Sequence, residues 1–152
     1  MTIFHGFNTS ASALTTQRLR MDVVSSNMAN ADTTRAALVD GEWQPYRRKM
    51  VVTQPNDKSS FAHFLNQAKT GKGTDVGHGV KVSQIVGDQS PFRQVYNPEH
   101  PDANEQGYVQ MPNVDPLREM VDLMSATRSY EANVTTLNAS KNMLLKALEI
   151  GR

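Results

Sequence analysis

The sequence predicts an α+β protein in which long N- and C-terminal helices pair as an α-helical coiled coil beside a small β-rich middle domain. Three observations carry this. Apolar residues recur every seven positions near the start of the chain, and a longer run of three-and-four spacing fills its end. Between them lie short β-branched segments separated by turn residues. The divisions fall at 1–34, 35–111 and 112–152.

In the first segment Phe7, Leu14, Met21 and Met28 form the heptad row, and Phe4, Ala11 and Val24 lie three or four residues from its members. That places an apolar stripe along one side of a helix ending near Asn30. Its start is expected at Thr2 or only at Ser10, because Gly6 and Asn8 are poor helix formers.

In the middle segment, residues 46–53 and 80–86 have the composition and partial alternation of strands, and 92–96 and 108–111 are weaker strand candidates. Phe61, Phe64, Leu65 and Ala68 have the spacing of a short helix within a flexible loop of about 54–79. The run Asn97-Pro98-Glu99-His100-Pro101-Asp102 reads as a rigid, turn-rich connection.

The last segment opens on Pro112-Asn113-Val114-Asp115-Pro116, in which Asp115 caps a helix and Pro116 takes its first position. Glu119 then suits the positive end of the helix dipole. Met120, Leu123, Thr127, Tyr130, Val134, Leu137, Lys141, Leu144 and Leu148 follow in the spacing of a sustained heptad, with Gly151 as the C-terminal cap. A helix of about 35 residues would be about 50 Å long, more than a globule of this size covers.

Composition narrows the chemistry. The 152 residues carry a formal net charge of +1, which gives no footprint for nucleic acid. The one basic run, Arg47-Arg48-Lys49, is expected to be a solvated face or a salt-bridge surface between subunits. The chain has no cysteine, so disulfides and thiolate metal sites are excluded. No apolar run approaches a membrane span of roughly 20 residues, and residues 1–7 lack the pattern of a cleaved secretory signal.

Gly71-Lys72-Gly73-Thr74 is not a phosphate loop, because position 66 is Asn where that motif needs glycine. His5, His63, His78 and His100 show no metal-pair spacing, and no serine sits in a nucleophile elbow. No catalytic residue, metal, cofactor or small-molecule substrate is therefore expected. Eight methionines, several of them on the helices, suit adaptable packing.

Two motifs point further. Ala13-Leu14-Thr15-Thr16-Gln17-Arg18-Leu19-Arg20-Met21 leads into Ser26-Asn27-Met28-Ala29-Asn30-Ala31-Asp32-Thr33. Near the other end, Gly107-Tyr108-Val109-Gln110-Met111-Pro112-Asn113-Val114-Asp115 leads to Glu119-Met120-Val121 and to Ser125-Ala126-Thr127-Arg128-Ser129-Tyr130-Glu131-Ala132-Asn133-Val134. Together they resemble the N- and C-terminal signatures of the flagellar rod and hook axial protein family, and the short chain is similar to its proximal-rod branch. Tyr46-Arg47-Arg48-Lys49 and residues 96–103 share that likeness.

The resemblance implies a structural subunit of the basal-body rod, not an enzyme, exported without a cleaved signal through the flagellar type III apparatus to the periplasmic space. It implies assembly with itself and with the rod proteins FlgB, FlgF, FlgG and FliE into a helical drive shaft, with surrounding rings as further neighbours. The paired helices would form the inner rod layer. Its packing residues would be Phe7, Leu14, Met21 and Met28 on one helix, with Met120, Leu123, Tyr130, Val134, Leu137, Leu144 and Leu148 on the other. An intramolecular core is the plainer reading of the same residues. Asn27, Asn30, Asn113, Arg128 and Asn133 are the polar motif positions: Asn27, Asn30 and Asn133 are expected to satisfy backbone groups at helix ends or across subunits, and Arg128 to pair with an acidic neighbour or lie exposed. A cytoplasmic coiled-coil adaptor or export chaperone is the competing reading, and an enzyme acting on cell wall is a third.

Overall fold

Gly6 and Asn8 do not delay the first helix. In the computed structural model, which describes residues 4–39, 41–56, 65, 68 and 79–150, α1 runs over Phe4–Ala29. Its small polar side chains bond back to its own carbonyls: Thr9 Oγ1 donates to His5 O at 3.0 Å and Thr15 Oγ1 to Ala11 O at 3.1 Å. The helix stops where Asn30 turns its side chain on the backbone, Nδ2 donating to Ser26 O at 2.9 Å. Thr33 then closes the turn through its N–H to Asn30 O.

The second helix, α2, spans Pro116–Ile150, 35 residues. Asp115 caps it as expected, its Oδ1 accepting the Leu117 N–H at 3.0 Å and its carbonyl the Glu119 N–H. The helices lie antiparallel and form the most extensive pairing of elements in the molecule. Asn27 meets Glu119, Met21 Sδ accepts from Thr127 Oγ1 at 3.5 Å, and Phe7 lies beside Leu144 and Leu145. At 1.5 Å per residue α2 is about 52 Å long against about 39 Å for α1.

Among the described residues six short strands form three separate antiparallel pairs: β1 (Ala37–Val39) with β2 (Glu42–Gln44), β3 (Lys49–Pro55) with β4 (Val80–Gly87), and β5 (Arg93–Tyr96) with β6 (Tyr108–Met111). Only β3–β4 is long, and its register shifts between Val52 and Thr53. At its far end Ser12 Oγ accepts the Val80 N–H, which ties β4 to α1. A side chain at Gly79 would collide with that hydroxyl.

Among the described residues the buried apolar side chains are few and lie near one end of the helical pair: Val23, Val24, Tyr46, Val109, Val114 and Ala126. Among the described residues, no helix is long and apolar enough to cross a membrane.

Several boundaries differ from expectation. The strand expected over 46–53 is displaced to Lys49–Pro55, because the backbone of residues 46–48 is bonded elsewhere. Tyr46 N–H goes to Thr33 O, Arg48 N–H to Asn113 Oδ1, and Arg48 O accepts from Asp88 N–H. Gln54 and Pro55, expected in the loop, pair with Lys81 and Val80 instead. Proline is tolerated at that terminal position because no further ladder bond is needed from it. The hairpin β1–β2 was not anticipated, although Asp40-Gly41 between Val39 and Glu42 is a strong two-residue turn signal. Gly41 adopts the positive φ that such a turn demands, 86°. Most of the expected short helix and loop, and the cap at Gly151, fall outside the described residues. Leu65 and Ala68 are helical.

Gly107 also has positive φ, 78°, and a Cβ there would stand 2.9 Å from the Tyr96 ring. That ring packs edge-on against Tyr108, with centroids 5.4 Å apart. Gly107→Ala is expected to cost about 1–2 kcal/mol from the left-handed backbone alone. Chemical denaturation would show this as a lowered midpoint at unchanged slope.

Candidate functional site

The terminal motifs meet in one buried polar hub. Asn27, in the last turns of α1, is 1% exposed and saturates both ends of its amide. Its Nδ2 donates to Lys49 O and to Glu119 Oε2, both at 2.9 Å. Its Oδ1 accepts the Lys49 N–H at 2.9 Å and the Tyr46 hydroxyl at 3.0 Å. The amide thus serves the first residue of β3 as a neighbouring strand would. It also leaves only one orientation, since Lys49 offers one donor and one acceptor.

Glu119, in the first turn of α2, has no exposed surface. One carboxylate oxygen accepts from Asn27, and the other accepts from Arg48 Nε at 2.6 Å. Arg48 reaches Asp122 Oδ2 at 3.3 Å and Asp88 Oδ2 at 3.7 Å with its remaining nitrogens. Its own N–H is taken by Asn113 Oδ1, whose Nδ2 donates to Asp88 O and Ser90 O. A carboxylate out of water is tolerated only when paired and hydrogen-bonded, and here both conditions are met.

Two surface carboxyls support the loops around the hub. Asp88 is held below its ordinary value of 3.8, first by the Ser90 hydroxyl and then by the Ser90 backbone N–H. Asp102 is lowered chiefly by Arg35 and then by Thr34, which together tie the connection of residues 97–107 to the segment after α1.

The expected packing residues are placed less deeply. Leu14, Met21, Met28, Leu123, Tyr130, Val134, Leu137 and Leu144 are half-buried, whereas Phe7, Met120 and Leu148 are exposed, Leu148 at 72%. Near the start of α2 the buried phase falls one residue earlier than the apolar spacing suggests. Glu119 and Ala126 are buried, whereas Met120 and Thr127 are exposed.

The polar positions divide. Asn27 and Asn113 are in the hub. Asn30 and Asn133 bond to the carbonyls of Ser26 and Ser129 four residues back, and Arg128 is exposed with no ion pair to a described residue.

Known proteins carry the same two ends. The model described as flagella basal body rod protein matches residues 7–36, and that described as flagellar basal body rod FlgEFG protein C-terminal matches 105–150. Over its whole length the chain is 65% identical to the whole of the flagellar basal-body rod protein FlgC of Bacillus subtilis (strain 168). It is 45% identical, again over the whole of both chains, to FlgC of Escherichia coli O6:H1. With FlgC of Borreliella burgdorferi it is 39% identical over 160 residues, covering 99% of this chain and 98% of that one. The chain belongs to the FlgC family of flagellar basal-body rod proteins. It is a structural subunit of the flagellar basal-body rod.

In this FlgC-family chain the hub joins the two segments that match the rod-protein families. One supplies Asn27, the other Asn113, Glu119 and Asp122, while Tyr46, Arg48 and Asp88 lie outside both. Sequence reasoning missed Glu119 and Arg48 as partners. Only part of the basic run is a solvated face: Lys49 is exposed, but Arg48 is buried in the hub and Arg47 lies 4.6 Å over the Phe92 ring. A signal was present, because Glu119, Leu123, Ala126 and Tyr130 share one helical phase and a carboxylate in an apolar phase demands a cation.

Removing one partner of this buried pair should be costly. Arg48→Met is expected to destabilise by roughly 3–5 kcal/mol. Glu119→Gln should also destabilise, since its amide would set a donor against either Arg48 or Asn27. Both are read by denaturant unfolding. For pH the sign follows from the lowered carboxyls: the stability from Asp88 and Asp102 is present above about 3.8 and lost as pH falls through their folded values. Asp102→Asn should flatten that acid limb while leaving neutral-pH secondary structure unchanged, measured by circular dichroism against pH.

Proposed function

We propose that this rod subunit joins copies of itself and other rod proteins head-to-tail in the proximal rod, the helical shaft that transmits torque from motor to hook and filament. The supporting observation is the mismatch between helix length and burial: α2 has 35 residues, yet only Glu119 and Ala126 are buried in the single chain. Its exposed large apolar side chains include Leu117, Val121, Met124, Met143 and Ile150. Such a surface calls for neighbours.

On this reading residues 1–34 and 112–152 form a coiled-coil inner layer, and 35–111 an outer β-rich domain. The eleven packing residues from Phe7 to Leu148 close between chains as well as within one. Apolar burial at about 25 cal/mol per Å² then offsets an ordering cost of roughly 1–2 kcal/mol per residue. FlgB, FlgF, FlgG and FliE are the rod neighbours, with surrounding rings beyond them. The chain reaches the periplasmic space through the type III export apparatus, and performs no catalysis.

Cryo-electron microscopy of purified basal bodies tests this. Density for the chain is expected in the proximal rod with α1 and α2 in the inner layer, and absence from the axial density overturns the proposal. In the isolated chain, amides of α2 beyond Tyr130 should exchange faster than those near Glu119. Uniform protection along α2 would count against closure by neighbours.

A further inference from the structure

Hairpin β1–β2 pairs with no other strand among the described residues, and it leaves its largest side chains in solvent. Leu38 and Trp43 stand opposite each other in the ladder, so they share one face, and they are 60% and 58% exposed. A hairpin of three residues per strand is marginal by itself. A large aromatic on such an element is the kind of side chain that anchors protein interfaces.

At the opposite end of the helical pair, Phe7, Lys141, Leu144 and Leu145 line an open apolar groove of about 240 Å³. The two features cannot meet within one chain. The hairpin base, where Ala36 N–H bonds Gln44 O, is held at the hub end through Tyr46, Thr33 and Asn27. Phe7 lies 20 residues from Asn27 along α1, roughly 30 Å at 1.5 Å per residue. A three-residue strand reaches only about 10 Å.

We infer that hairpin β1–β2 of one copy docks on this groove of a second copy, with Trp43 as the inserted side chain. A groove of about 240 Å³ has room for one large aromatic side chain. Charge agrees: segment 37–44 carries Asp40 and Glu42 and no cation. Lys141 is the one charged residue among the described residues that line the groove, and it forms no ion pair with a described residue. Because knob and groove are different surfaces at opposite ends, each contact leaves one of each unused, and the array propagates instead of closing. The inference rests on the reading that copies of this chain touch, and it names the surfaces that do so.

The chain has no cysteine, so introduced thiols report one contact cleanly. Ala37→Cys on the hairpin and Leu148→Cys beyond the groove replace exposed residues. Purified single variants, mixed and treated with a short thiol–thiol crosslinker, should give covalent dimer that neither variant gives alone. A chain carrying both substitutions should give a ladder. Adding Trp43→Ala should reduce the yield about tenfold, the effect of losing roughly 1.4 kcal/mol of contact. Leu145→Glu should do the same from the groove side, so the conclusion does not hang on one variant. A mixture no more crosslinked than its components, dimer from the Ala37→Cys chain alone, or full yield with both Trp43→Ala and Leu145→Glu overturns the docking. Recovery of the unsubstituted chain in basal bodies is scored separately, so loss of this contact and loss of the rod reading are distinguishable.

Discussion

The carboxylate of Glu119 has no contact with water, and the rest of the structure is arranged to make that tolerable. A buried charge left alone costs several kcal/mol, so its two oxygens need donors held in fixed places. Asn27 supplies one from α1 and Arg48 the other from the approach to β3. Each donor is itself pinned, Asn27 by Lys49 and Tyr46, and Arg48 by Asn113, Asp122 and Asp88. Satisfying one carboxylate therefore fixes where α1 ends, where β3 begins and how α2 enters. The bond between Asn27 and Glu119 joins residues 92 apart in the chain.

This arrangement concentrates order at one end of the molecule. The small apolar core of Val23, Val24, Tyr46, Val109, Val114 and Ala126 gathers around the hub. Beyond it the helices run on with half-buried seams and exposed outer faces. The polar network is directional and intolerant of slippage, so it sets the angle of the helices, while non-directional apolar faces stay exposed along their length. The three strand pairs among the described residues contribute little shared sheet, since each is only two strands wide.

Much of the fold was legible locally. The heptad rows located both helices, Asn30 and Asp115 marked their inner boundaries, and β-branched content located β4, β5 and β6 to within a residue or two. The errors share a cause. Residues 46–48 have strand composition but give their backbone groups to Thr33, Asn113 and Asp88, partners that no local pattern reveals. Arg48 reads as a surface cation beside Arg47 and Lys49, yet only the chain path past Glu119 turns it inward.

By itself the sequence determined two amphipathic terminal helices, a β-rich middle, the absence of thiol chemistry and the paired motifs of the rod family. Those follow from periodicity, composition and residue order, which are local properties. Tertiary structure alone decided that the motifs are two halves of one hub, that Glu119 and not Met120 faces inward, and which apolar residues stay exposed. Burial of a charge is a property of everything around it, so its partners become visible only once distant segments are brought together.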